Sequence, residues 1–155
     1  MTKMKWHETM LEIAKEHVRR DGYLAPVLML KHKTRMQVVS LKGTEGDKDF
    51  QSALVKGIIK MVKPREYLLV QDTYFKEFNT NDEGDRGLAK LVENGVLQVS
   101  QLQNHSAITA VHGTGGKEEI IILRYEKLPA GKYQFTEVKM PADVTGKGRF
   151  VGLRE

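Results

Sequence analysis

Three His-x-Thr triplets are the residues best suited to do chemistry: His7-Glu8-Thr9, His32-Lys33-Thr34 and His112-Gly113-Thr114. Two such motifs form the working part of two-histidine phosphodiester chemistry. One imidazole takes a proton, the other gives one, and each hydroxyl helps hold the phosphate. His32, Thr34, His112 and Thr114 are therefore the candidate catalytic set, with its halves 80 residues apart. That chemistry needs both motifs on strands, so that imidazole and hydroxyl enter one cleft. Here Lys33 and Arg35 flank Thr34, and Gly113 and Gly115 flank Thr114. Both motifs read as hairpin turns, and short motifs also match by chance.

Other constellations are less complete. Gly113-Thr114-Gly115-Gly116-Lys117 has the look of a phosphate loop. The full pattern needs Gly-Lys-Ser/Thr opening a helix, where backbone N–H groups meet the phosphate. Glu118-Glu119 follow the lysine and the next element reads as a strand, so a plain turn is expected. Glu137-Val138-Lys139 matches the acid and lysine of a metal-dependent nuclease strand, but residues 86–136 contain no Asp to complete it; Glu119 or Glu126 could substitute, and alternation along a solvated strand explains Glu137 and Lys139 more simply. Zinc ligands arrive in tight pairs, whereas His105 and His112 are seven apart without clustered carboxylates, and His7 and His17 fall on different helix faces. No metal and no cofactor is expected. The remaining binding candidates are Asp72 and Tyr74, after a predicted central strand where α/β scaffolds place sites, and Lys31, Lys33 and Arg35. This basic segment suits phosphates but lacks the interleaved aromatics that stack single-stranded bases.

The elements that must position these residues follow from periodicity. Residues 5–20 read as a helix with Trp6, Met10, Ile13, Ala14, His17 and Val18 at helical spacing, stopped by Asp21-Gly22. Residues 23–31 and 36–41 read as a hairpin. A second helix over 48–63, capped by Asp47 or Asp49, has Phe50, Leu54, Ile58, Met61 and Val62 as its apolar stripe. Tyr67–Val70 is an unbroken apolar run, as in a strand buried on both faces. Residues 77–86 are polar and turn-rich, 87–94 allow a short helix, and 96–103 show no clear period. Ala107–His112 and Glu119–Tyr125 form a hairpin around Gly113–Gly116, Tyr133–Lys139 is a last strand, and the tail 141–155 reads as irregular.

The expected fold class is α+β: helix-hairpin-helix-strand followed by three antiparallel strands, with two main helices packed on one sheet. The economical packing puts both helices on one face. Residues 1–155 read as a single domain with a loop or insertion at 77–104.

The order and its punctuation resemble a family of bacterial and archaeal proteins with no established activity. The likeness rests on the helix end and Asp21-Gly22-Tyr23-Leu24-Ala25-Pro26, then on Val70-Gln71-Asp72-Thr73-Tyr74, and on the glycine-containing hairpin. It covers most of the chain outside 77–104. The family carries an Arg and a Glu leading into the hairpin; here the stretch is Asn104-His105-Ser106-Ala107. The resemblance implies a fold and no mechanism.

Composition narrows the function classes. The 155 residues include no Cys, which excludes disulfide scaffolds, thiolate metal sites and Cys nucleophiles. No apolar run reaches the roughly 20 residues of a membrane span, and no secretory signal pattern opens the chain. A cytoplasmic, soluble protein is expected. The net charge of +5 is uneven. Residues 1–43 carry nine Lys/Arg against four acids, while residues 65–95 carry four against seven. With no complete catalytic set, the leading expectation is a non-enzymatic binding or regulatory module for a protein partner or an anionic, nucleotide-like ligand. The alternatives are the phosphodiesterase built on His32 and His112, and a salt-sensitive nucleic-acid binder using the basic N-terminal third. A homodimer through exposed sheet edges also fits.

Overall fold

Helix α1 (Trp6–Asp21) leads into a hairpin of β1 (Val27–Lys31) and β2 (Met36–Ser40), then α2 (Lys48–Val62) and β3 (Glu66–Phe75). A further helix, α3 (Glu83–Glu93), precedes three strands: β4 (His105–Thr114), β5 (Lys117–Lys127) and β6 (Tyr133–Val138). These elements come from a computed structural model, which describes residues 4–44, 46–75, 79, 81–97 and 105–138. All six strands join one sheet in the order β2-β1-β3-β4-β5-β6, with every neighbouring pair antiparallel. The α+β class and the element order are those expected from the sequence. The strand end at Lys139, the tail 141–155 and most of 96–103 lie outside the described residues. Among the described residues, no helix is long and apolar enough to cross a membrane.

The packing of the helices differs from the economical arrangement. Met10, Leu11, Ala14 and Val18 of α1 pack on Met29, Leu68, Val70, Ile108, Ala110 and Leu123. Val55 and Ile59 of α2 pack on Leu28, Leu30, Tyr67, Leu69 and Val111. Alternate residues of one strand thus enter two cores, and the helices cover opposite faces. The reason lies in the run Tyr67-Leu68-Leu69-Val70, whose four residues are all at most 2% exposed. Successive strand residues point to opposite faces, so an unbroken apolar strand needs a cover on each side.

The helix stripes also rotate relative to the expectation. On α2 the buried residues are Gln51, Ser52, Val55 and Ile59, while Phe50 and Met61 are exposed. On α1, Leu11 is buried and Ile13 is exposed. Each position turns a helix by about 100°, so counting apolar residues without their partners misplaces the stripe by one. Helix α3 begins four residues before the expected 87, because Asp82 caps it by accepting a hydrogen bond from the Asp85 N–H. The β4–β5 turn is the two residues Gly115-Gly116, both at positive φ, which suits the twist of a tight hairpin.

At one end of the α1 face, Tyr125 Oη donates to both oxygens of Asp72 at 2.8 Å, and the Leu24 N–H donates to Asp72 Oδ2 at 3.3 Å. This ties the segment after α1 to the sheet. Burial raises the Asp72 carboxyl above its ordinary value, against the opposing hydrogen bonds from Tyr125, Leu24 and Thr73. Tyr125→Phe removes one of these donors from a partly buried carboxylate and costs about 1–3 kcal/mol. Because the folded-state value is raised, Asp72 favours the fold most when protonated. The Tyr125 hydrogen bond opposes the rise and so favours the ionised carboxylate; the Tyr125→Phe penalty is larger above the raised value and shrinks as the pH falls through it. Denaturant melts of both proteins at pH 7 and pH 4 check this.

Candidate metal centre at the end of the sheet

The strand pleat lays out the site. On the α1 face, the apolar rows stop at the end of the sheet where α1 begins. Lys31 follows Met29 on β1, Glu66 precedes Leu68 on β3, His112 and Thr114 follow Ala110 on β4, and Lys117 and Glu119 precede Ile121 on β5. Antiparallel register aligns Lys31, Glu66, Thr114 and Lys117 across four strands, and Leu68, His112 and Glu119 in the row behind.

Helix α1 supplies the missing group. Its buried stripe Leu11-Ala14-Val18 extends by one turn to His7, on the same helix face. The His7 and His112 rings stack with centroids 4.0 Å apart and planes at 24°. Two carboxylates hold the pair at its ends. His112 Nε2 lies 2.6 Å from Glu66 Oε2, and His112 Nδ1 lies 3.1 Å from Glu119 Oε1. His7 meets the same two acids less closely: Nδ1 is 3.9 Å from Glu66 and Nε2 is 3.7 Å from Glu119. The side chains of His7 and His112 are 12% and 6% exposed, against 57% for Glu119.

Burial lowers the His7 pKa, and the charge of His112 pushes it the same way; Glu119, Glu8 and Glu66 oppose this. Burial and the His112 charge thus favour the neutral form of His7, which has a lone pair available. One ligand atom each from His7, Glu66 and His112 lies within 4.8 Å of the others. Tetrahedral ligation at about 2.0–2.2 Å sets donor atoms about 3.3 Å apart, so ligation opens the 2.6 Å contact between His112 and Glu66 and turns the stacked His7 ring so that its in-plane lone pair meets the same point. Glu119 has the place of an outer carboxylate, which fixes the tautomer of a ligating imidazole through its second nitrogen. Two imidazoles and one carboxylate suit zinc or another first-row divalent ion, rather than magnesium or calcium. The cluster lies in the wall of an open pocket of about 610 Å³, which Trp6, Lys5, Lys31, Thr114, Lys117 and Glu118 also line.

The residues singled out in the sequence are only partly brought together. Lys31, His112 and Thr114 share this pocket. His112 lies on β4, as the expected strand 107–112 has it, and Thr114, expected in the turn, belongs to β4 as well. His32 does sit at a hairpin turn, with Nε2 2.7 Å from Gln37 Oε1, and does not line the pocket. Lys33, Thr34 and Arg35 are exposed beside it. Asp72 is six residues along β3 from Glu66, about 20 Å away at strand spacing, and is engaged by Tyr125. The side chains of Tyr74 and His105 lie outside the described residues, as does Lys139. His17 is largely exposed, 2.8 Å from Arg20. His7 and Glu119 entered the sequence reading only in other constellations, and Glu66 not at all. The available signal was the 7-11-14-18 spacing, which places His7 on the buried stripe. Neither a family model, nor a curated protein, nor a solved structure matches this chain.

Proposed function

We propose that this protein is a small binding module that holds a divalent first-row metal ion on His7, Glu66 and His112. The observation that carries the reading is the convergence of these three donors from three separate elements, within 4.8 Å of one another, in the wall of a pocket. The chemistry of the donors supports it further. Two mutually stacked histidines between two carboxylates make a poor seat for an anion and a good one for a cation. In the metal-free protein a proton fills the 2.6 Å gap between His112 and Glu66, and a cation takes that proton's place. The pocket that contains His112 draws its second imidazole from His7 and not from His32. The two-histidine readings therefore differ in one testable residue.

Titration with Zn²⁺, Co²⁺ and Mg²⁺ by calorimetry tests the proposal. One equivalent of Zn²⁺ or Co²⁺ binds, and Mg²⁺ binds far more weakly. Absence of Zn²⁺ and Co²⁺ binding overturns the reading. The pH dependence has a definite sign. Ligating imidazoles must be neutral, so affinity is present above the imidazole range and is lost on acidification. The lowered His7 value moves its share of that loss below the ordinary imidazole pKa of about 6.5. Below the His7 value, Zn²⁺ affinity falls by about tenfold per pH unit from this residue alone. A pH-independent affinity between pH 7.5 and pH 5 is the contrary result.

A further inference from the structure

We infer that the metal ion is completed by an oxyanion, the phosphate group of a small ligand, held by Lys31 and Lys117. The inference rests on the metal-binding reading above and names what that site takes. Its basis is the cross-strand row Lys31–Glu66–Thr114–Lys117. Neighbouring strands are about 4.8 Å apart, so a cation on Glu66 has a lysine residue one strand away on one side. On the other side it has a threonine and then a second lysine. All four residues line the pocket, and the stacked histidines approach the cation from α1 and β4, leaving its other positions to the pocket. Three protein ligands with open positions is the arrangement that takes an exogenous ligand.

Charge sets the order of binding. The pocket wall carries Lys5, Lys31 and Lys117 against Glu66, Glu118 and Glu119, so it is balanced when the histidines are neutral. A divalent cation leaves the pocket at +2, and an anion then has a reason to enter. Glu118 is drawn toward the other face by the Tyr67 hydroxyl, 2.7 Å from its Oε2. Lys31 stays within 6.0 Å of the Trp6 ring and has no ion pair among the described residues. The volume of about 610 Å³ far exceeds a phosphate group and lies in the range of nucleotide-sized ligands, with the Trp6 ring available as a flat wall.

The test uses the full chain loaded with Co²⁺, whose visible spectrum reports its ligands. Inorganic phosphate, and then adenosine monophosphate as a larger probe, shifts the bands saturably, while the metal-free protein binds neither by calorimetry. Lys31→Gln and Lys117→Gln each weaken phosphate binding by about tenfold or more, the value of one charge-assisted contact, and do not weaken Co²⁺ binding. A Co²⁺ spectrum insensitive to both anions overturns the inference and leaves the metal reading standing. Equal phosphate binding without metal, or full affinity in both lysine variants, also overturns it. Failure to bind Co²⁺ at all removes both readings.

Discussion

His112→Ala lowers Zn²⁺ affinity by at least about 100-fold, and His7→Ala does the same. Each deletion takes one of three donors from the cation. The two variants differ in what they do to the metal-free fold. His112 is buried between Glu66 and Glu119, and its removal leaves Glu66 without its close partner, at a cost of about 1–3 kcal/mol. His7 makes no contact to these acids closer than 3.7 Å, so His7→Ala is the cleaner probe of metal binding. His32→Ala is the discriminating control. It leaves Zn²⁺ affinity unchanged, because the His32 ring is engaged by Gln37 at the β1–β2 turn. Calorimetric titration of the three variants, each checked by circular dichroism, decides the matter. Wild-type affinity in His7→Ala, or a loss in His32→Ala, would refute the assignment.

Gly113→Ala destabilises the protein by about 3 kcal/mol, although it adds one methyl group next to the site. Gly113 faces the α2 side of β4, opposite Tyr67 in the β3–β4 register. A Cβ there would sit 2.0 Å from Tyr67 Cζ, 2.3 Å from Cε1 and 2.4 Å from Oη. The Tyr67 ring is 2% exposed and its hydroxyl donates to Glu118, so the ring has nowhere to move without breaking its own packing. The cost lies at the upper end of the range for overpacked cores and corresponds to roughly 6–12 °C in Tm for a domain of this size. The clash is with one side chain, so the double variant Gly113→Ala, Tyr67→Leu shows a smaller loss than the sum of the two single changes. Thermal melts of the three variants measure this; a wild-type Tm in Gly113→Ala would contradict the packing described. His112 and Gly113 are neighbours in sequence, yet one serves the pocket and the other the opposite core, because the pleat sends them to opposite faces.

Local signals were read correctly where they act locally. Asp21-Gly22 ends α1, Asp47, one of the two caps expected, caps α2, the expected turn 113–116 narrows to Gly115-Gly116, and the run Tyr67–Val70 lies inside the sheet. The α2 stripe was misread because Phe50 and Met61 are apolar but face solvent, and apolar type does not reveal which side of a helix meets a partner. The candidate site was legible only in part. Lys31, His112 and Thr114 were singled out, but beside His32 rather than His7. Glu66 carries no local signal, and Glu119 stands out only as a stand-in acid for the nuclease strand.

By itself, the sequence determined the elements, their order and the antiparallel hairpins, because caps, turns and periodicity act over a few residues. It also excluded thiolate ligands from any metal site, since the chain has no Cys. Only the tertiary structure decided which imidazole meets His112. Residues 7, 66, 112 and 119 come from α1, β3, β4 and β5. Their meeting depends on the strand register, which aligns Leu68, His112 and Glu119, and on α1 lying across that face with its first turn over the polar end. Register and helix placement are set by the burial of Leu68, Val70, Ile108 and Ala110 against Leu11, Ala14 and Val18. These contacts bridge tens of residues, and no local pattern encodes them.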